Sequence, residues 1–392
     1  MLLLPLLACS DDTTTWHGDV SVVMDQNCAH CHGAEGVGPE WVVDYDRASE
    51  DIDLILTYLD IHRMPPPASD PSCRDYYGSE RLWLSDEDRA VFGQWKEDGT
   101  PLGEDDEPRP SAPDTLQRLE NPNHYAQIAS PYTVNPSEDN NEYRCFVLEM
   151  DTSEDQWATG FEVLPGDPAV THHAVLMLDP AGDPSASYGL ESGLDEFDCR
   201  EQIFGGEGWK FLYGWAPGMS ATLFPEGKGM GLPAGSKLVL QMHYYATAPT
   251  TDQTQVAIST VDSVEDPIFN LALGPLDFEI PAGDSEYKAV DELANLSGDY
   301  TLYGMFPHMH WLGARFAARV EHQDQDDDCL VEGDWDFENQ MTYQFKEPAR
   351  WSIGDTLHVS CVFDNSNGDT TVGFGEATDE EMCLFFSYVS RD

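Results

Sequence analysis

The sequence predicts a multidomain chain: a small all-α domain followed by two all-β antiparallel, jelly-roll-like sandwiches. Three observations predict it. Residues 16–103 hold helical stretches with their own start and stop signals. Residues 103–113 (Gly-Glu-Asp-Asp-Glu-Pro-Arg-Pro-Ser-Ala-Pro) are charged and Pro-rich, a semi-rigid linker with no means of building a core. From there to the C-terminus, short runs of Val, Leu, Phe and Tyr alternate with Pro, Gly, Asp and Asn clusters, as in antiparallel sandwiches. One small sandwich takes about 100 residues and this region exceeds twice that, so two are expected. The expected units are a leader and tether (1–15), the helical domain (16–103), the linker (104–114) and sandwiches over 115–263 and 264–392, with the break near residues 261–266.

The 392 residues are 41% hydrophobic and 11% aromatic, which marks a folded, core-forming chain. The formal net charge of -54, from 73 acidic and 19 basic residues, is spread along the whole length. Such a surface repels nucleic acid and anionic headgroups and favours solubility, so a hydrated surface is expected rather than a docking patch. The first nine residues are apolar but too short to span a bilayer. Leu6-Leu7-Ala8-Cys9 resembles a bacterial lipobox, in which the Cys is acylated; the rival is a truncated ordinary signal peptide. Either implies export, to the periplasm or cell surface, with the membrane reached only through an N-terminal lipid anchor, as in an outer-membrane lipoprotein. An exported chain can keep disulfides, and nine cysteines stand at 9, 28, 31, 73, 145, 199, 329, 361 and 383.

In the helical domain, residues 20–26 lead into Cys28-Ala29-His30-Cys31-His32. Cys-x-x-Cys-His is the c-type haem attachment pattern: both thiols add to the haem vinyl groups, and His32 becomes the proximal iron ligand. A redox Cys-x-x-Cys is the rival, but its βαβ surroundings are missing. The second axial ligand is expected to be Met64, in Met64-Pro65-Pro66-Pro67 after a helical stretch over 51–62, with His62 as runner-up. A closing helix over 84–99 has Ser85 as N-cap, Asp88 completing a capping box, Trp95 facing inward and Gly99 as its stop. The whole segment resembles a small cytochrome c.

The β region carries its own histidines. His308 and His310 alternate in Phe-Pro-His-Met-His-Trp-Leu-Gly, so on a strand both imidazoles leave the same face and can reach one ion. His172 and His173 are adjacent at a strand start after the turn at 165–168, and share an ion only if a bend or bulge re-aims one of them. His243 sits in the β-forming run Leu238-Val239-Leu240-Gln241-Met242-His243-Tyr244-Tyr245. Near the end stands Asp379-Glu380-Glu381-Met382-Cys383. Each alone reads as an ordinary core or surface feature.

In order, the chain shows His-His, Gln-x-His-Tyr, His-x-His-x-x-Gly and Asp-Glu-x-Met-Cys. The series resembles the type II copper monooxygenases, the family of the peptidylglycine α-hydroxylating and dopamine β-monooxygenases, from about 143 to 388. Tyr143-x-Cys145, Phe211-Leu212-Tyr213-Gly214-Trp215-Ala216 and Gly354-Asp355 with Cys361 add to it. The resemblance implies two copper ions across a cleft between the sandwiches, one on His172, His173 and His243, the other on His308, His310 and Met382. Imidazole suits copper and a thioether favours Cu(I). The His308, His310 and Met382 ion would therefore be the catalytic one that meets O2 and the substrate C–H, while the three-histidine ion passes the second electron. The resemblance also implies disulfides Cys361–Cys383 and Cys145–Cys199, and leaves Cys73 and Cys329 either bridging the modules or free.

Two departures bear on substrate. Where peptidylglycine enzymes carry an Arg for the peptide carboxylate, this chain has Phe306; where they carry a Tyr beyond the copper Met, it has Phe386. A small apolar or aromatic molecule is expected instead. The expected activity is RH + O2 + two electrons and two protons giving ROH + H2O, with two copper ions, one covalent c-type haem and an external electron donor to that haem. The alternative is a non-catalytic copper and haem electron-transfer protein. A cytochrome–cupredoxin reductase ranks third, since neither Cys361 nor Cys383 has the His that a type 1 copper set needs.

Overall fold

The computed structural model describes residues 13–33, 38–104, 117–135, 141–150, 153–199, 206–323, 325–375 and 379–392. The lipobox-like residues 6–9 and nearly all of the expected linker lie outside the described residues. Among the described residues, no helix is long and apolar enough to cross a membrane.

The N-terminal region holds short helices. Residues 16–32 run helical, with the wider turns Trp16–Val20 and Met24–Cys28 alternating with Ser21–Val23 and Ala29–His32. The helix Ile52–Asp60 buries Ile52, Ile55 and Leu59, the i, i+3, i+7 stripe of an amphipathic helix. His62 follows it at φ 53°, exposed. The helix Asp86–Glu97 starts where Ser85 Oγ accepts the Asp88 N–H at 3.1 Å. Asp88 accepts the Ser85 hydroxyl proton at 2.6 Å rather than the N-cap N–H, so the expected capping box is only half formed. Gly99, at φ 86°, supplies the left-handed residue past the end of this helix, a conformation that favours glycine. Trp16, Val20, Met24, Phe92 and the fully buried Trp95 anchor a core separate from the rest.

Beyond residue 117 the chain is almost entirely β. A 14-stranded sheet runs through both sequence halves. On one side, Lys237–Tyr245 lies between Asn141–Glu149 and Thr171–Asp179, all antiparallel. On the other, Cys383–Arg391 lies between Tyr300–Met309 and Asp266–Leu273, also antiparallel. The halves are joined by a parallel pairing of Asp266–Leu273 with Lys228–Leu232. Lys237–Tyr245 and Tyr300–Met309, which carry His243 and His308, are buried on nearly every residue, because both of their faces are covered. A second, four-stranded sheet stacks Tyr287–Ala294, Thr356–Phe363, Gly313–Glu321 and Asp328–Asp334. There Thr356–Phe363 alternates strictly between half-buried and buried, the mark of a strand with one face on a core.

The helical region is not a bead on a tether. Ala68, Tyr76 and Leu82 belong to the core of the β sheets. The Asp70 N–H donates to the Glu332 carbonyl at 2.8 Å and the Lys346 N–H to Asp75 at 3.0 Å. Arg74 Nε donates to the Cys329 carbonyl at 3.1 Å, and its guanidinium pairs with Asp328. A disulfide joins Cys73 to Cys329, 256 residues apart, which settles the pairing that the sequence left open. Cys145–Cys199 and Cys361–Cys383 are bonded as the resemblance implied, while Cys28 and Cys31 are free thiols.

A cross-link spanning so much chain restricts the unfolded state strongly. Replacing Cys73 and Cys329 together by Ser should lower stability by about 2–5 kcal/mol, read from urea unfolding. An unchanged midpoint would show that the hydrogen bonds of residues 70–75 hold the junction alone.

Candidate metal centres and the cavity between them and the helical region

The antiparallel ladder sets the first cluster. His243 pairs directly with His173, and Tyr244 pairs with Thr171, so the register skips His172. That bulge is the device the sequence required: it re-aims one of two adjacent histidines. The ring centroids of His172 and His173 stand 4.9 and 4.7 Å from that of His243. One ligand atom from each of the three lies within 4.8 Å of the others. Tyr143 stacks flat on His243 at 4.2 Å and 5°. His243 Nε2 donates to Asn141 Oδ1 at 2.7 Å, which leaves Nδ1 with a lone pair. His173 Nδ1 donates to the Glu338 carbonyl at 2.9 Å, which leaves Nε2. His172 Nδ1 is buried with no hydrogen-bond partner. Three imidazoles converging in this way fit a nitrogen-preferring transition metal such as copper.

The second group is built on the ladder between Tyr300–Met309 and Cys383–Arg391, in which His308 faces Leu384 and Met309 faces Cys383. His308 and His310 are fully buried, and their rings stand 5.2 Å apart. Met382 is 3% exposed and directly precedes Cys383, whose disulfide to Cys361 braces it. His308 Nδ1 donates to Gln340 Oε1 at 2.7 Å and His310 Nδ1 to the Glu380 carbonyl at 2.9 Å. The Glu381 carboxylate accepts the N–H groups of His310 (2.9 Å) and Leu312 (2.6 Å), tying the turn after the first strand to the approach of the second. Burial pushes this acid up to about 8, against the pull of those donors.

Burial, with the neighbouring His172 adding to it, holds His173 down to about 3, and burial with His310 holds His308 well below the usual imidazole range. His173 also opposes protonation of His308, so the two groups lie within electrostatic reach of each other. Both are neutral near pH 7, the form that binds metals.

Cys28, Cys31, His32 and Met64 all line one cavity of about 500 Å3. His32 Nδ1 donates to the Pro39 carbonyl at 3.1 Å, an orientation that presents Nε2 as the free donor. An ideal Cβ on Gly38 would come within 2.6 Å of His32 Nδ1, so only glycine admits this packing. His62 does not line this cavity; it lines a separate groove. The same cavity is also lined by His172, Pro217, Tyr245, Glu338 and Asn339. Its thiols, free histidine nitrogen and thioether fit a haem.

Glu338, Gln340, Asn141 and the packing of Phe337 and Trp335 against His310 and His308 have no counterpart in the sequence reading. Asp-Trp-Asp-Phe-Glu-Asn-Gln, at 334–340, carries no ligand spacing or periodicity that would single it out. Phe306 stacks on Phe211 at 4.7 Å, fully buried, and Phe386 packs on the same ring at 5.1 Å. The position that would hold a carboxylate-binding Arg is thus part of an aromatic core.

Residues 287–389, which include His308, His310 and Met382, match the family model described as copper type II ascorbate-dependent monooxygenase, C-terminal domain. That match supports copper-dependent oxygenase chemistry; the three-histidine cluster and the helical region lie outside it. Among solved structures, the chain is similar to one of infectious bursal disease virus, Gx strain, at 10% identity over 68% of this chain and 72% of that one, with a TM-score of 0.17. It is also similar to oxalate decarboxylase from Bacillus subtilis, at 8% identity over 72% and 79%, with a TM-score of 0.16. Likenesses at these scores carry no argument.

A neutral buried imidazole makes stability depend on acid. Below about pH 6.5 the unfolded chain takes up a proton at position 173 that the folded, metal-free chain refuses until about pH 3. Metal-free protein should therefore lose stability on acidification relative to a His173→Gln variant, by up to about 1.4 kcal/mol per pH unit. Comparing urea midpoints of the two cancels the carboxylate background. A constant difference from pH 7.5 to 4.5 would contradict the burial argument.

Proposed function

We propose that this chain is an exported copper-dependent monooxygenase that hydroxylates a C–H bond of a small apolar or aromatic substrate with O2, drawing electrons through its own c-type haem. The observation that carries the reading is the family match over a segment whose His308, His310 and Met382 are all buried, His308 on one strand ladder and the other two one residue beyond its end. The haem route is supported by His172, which belongs to the three-histidine cluster and also walls the cavity of Cys28, Cys31, His32 and Met64.

In this reading His172, His173 and His243 would hold one copper and His308, His310 and Met382 the other; Cys28 and Cys31 would anchor the haem, and His32 and Met64 would ligate its iron. When bound, the two coppers supply one-electron redox chemistry toward O2 and the haem relays electrons to them one at a time. The chain's own residues prepare for this. One ring nitrogen of each of His173, His243, His308 and His310 donates to a protein oxygen, which fixes the lone pair on the other. Burial pushes the Cys28 thiol up to about 12, with Cys31 beside it adding to the shift, and the Cys31 thiol up to about 11, so both remain thiols until haem is attached. Phe211, Phe306 and Phe386 leave no guanidinium at the place where peptide carboxylates are gripped, which favours an apolar substrate over a glycine-extended peptide. Three disulfides favour an oxidising compartment, consistent with acylation at Cys9 and an external electron donor.

Purified protein should carry one haem and two coppers, and show O2 uptake that depends on a small C–H substrate. Uptake without any substrate dependence would leave the electron-carrier reading. Met382→Ile should keep the haem and about one copper per chain, continue to reoxidise haem, and nearly stop product formation. If it keeps two coppers and full hydroxylation, the sulfur is not a ligand. Met64→Ala should remove the weak charge-transfer band of Met-ligated ferric haem; its survival would move the assignment to another axial residue.

A further inference from the structure

One turn, residues 335–340, touches both histidine groups, and it is built without any metal. The Glu338 N–H donates to Asp336 Oδ1 and the Asn339 N–H to the Asp336 carbonyl, both at 3.0 Å, so Asp336 closes the turn on itself. Gln340, 1% exposed, donates from Nε2 to the Phe337 carbonyl at 2.8 Å. With its amide nitrogen committed there, Oε1 is the end that faces His308 and accepts the Nδ1 proton at 2.7 Å. Flipping the amide would lose the bond to Phe337 and set Oε1 against that carbonyl oxygen.

Two residues earlier, the Glu338 carbonyl accepts the Nδ1 proton of His173. One residue before Glu338, the buried Phe337 packs edge-on to His310, with ring centroids 6.1 Å apart, and clusters with Tyr143, which stacks on His243. Trp335 Nε1 donates to the His310 carbonyl at 3.0 Å. At the opposite edge, Asn339 Nδ2 donates to the Pro67 carbonyl at 3.1 Å. A displacement of His308 that drags Gln340 therefore drags the Phe337 carbonyl, the Phe337 ring and the Glu338 carbonyl with it.

We propose that Gln340 is a positioning residue that fixes His308 as the Nδ1–H tautomer and, by closing this turn, makes metal binding at His308–His310 and at the His172–His173–His243 cluster mutually dependent. The coupling part rests on the copper reading above; the tautomer part does not. Filling either group orders the turn that the other one leans on, so each should bind more tightly once the other is occupied. Thermodynamic linkage makes the gain equal in both directions, of the order of five- to a hundredfold.

The experiment uses full-length protein and three chains: wild type, Gln340→Leu and Gln340→Glu. In metal-free protein with 15N-labelled histidine, NMR should show His308 protonated at Nδ1 in wild type and in Gln340→Glu, which keeps an acceptor, and shifted toward Nε2–H in Gln340→Leu. A wild-type His308 with its proton on Nε2 overturns the positioning role. Cu(I) titration against a competing chelator then gives two affinities per chain. Gln340→Leu should weaken the His308–His310 step about 10- to 100-fold and also weaken the three-histidine step several-fold, although the Gln340 side chain hydrogen-bonds to His308 and Phe337 and to none of those three rings. Gln340→Glu, titrated at a pH where its carboxylate is ionised and cannot donate to Phe337, should restore the first effect and not the second. Loss at His308–His310 alone in Gln340→Leu overturns the coupling. If Gln340→Leu fails to fold, Gln340→Glu decides: three-histidine affinity equal to wild type overturns it too. A wild type that takes up no copper overturns the copper reading and the coupling together, while the tautomer result still judges the positioning role.

Discussion

The cost of burying neutral imidazoles organises this molecule. His173, His243, His308 and His310 are 0–2% exposed, in a sheet interior walled by apolar strands. A buried polar ring needs a partner or forfeits its hydration. Each of the four meets that need in the same way, with one nitrogen on a protein oxygen: Glu338 carbonyl, Asn141 amide, Gln340 amide and Glu380 carbonyl. The second nitrogen is then the only position where a lone pair can be offered. The capacity to ligate a metal here follows from hydrogen-bond accounting as much as from residue identity.

The acceptors also explain why the β halves are fused rather than merely adjacent. Glu338 lies 165 residues from His173, and it belongs to the half that carries His308. The three-histidine cluster is therefore completed by the C-terminal half. The parallel pairing of Asp266–Leu273 with Lys228–Leu232 continues one sheet through both halves, and the turn at 335–340 bridges them a second time.

The helical region is drawn into the same construction. Its own core, around Trp16 and Trp95, would let it stand as a unit, yet residues 68–82 are shared with the sheets, and Cys73–Cys329 locks the junction. The consequence is local: the cavity lined by Cys28, Cys31, His32 and Met64 is lined by His172 as well. A loosely tethered domain would meet the sheets only by diffusion; this one holds the cavity against a member of the three-histidine cluster.

Local chemistry was legible in the residues themselves. The spacing of His308 and His310 determined that both rings leave one strand face, because the strand repeat is two. The adjacency of His172 and His173 determined that a bulge was needed, and Cys-x-x-Cys-His marked its own cavity lining. Ser85 and Gly99 bounded their helix because caps act over a few residues. Only the tertiary structure decided where the bulge falls, that Cys73 meets Cys329, that Met64 and not His62 lines the cavity, and that Gln340, Glu338 and Asn141 hold the rings. Those partners lie 32 to 165 residues from the histidines they serve. Periodicity and capping are short-range and written in neighbouring residues. A hydrogen-bond acceptor for a buried ring need only be an oxygen at the right place, which any of many residues could supply, so its identity is set by how the sheets close.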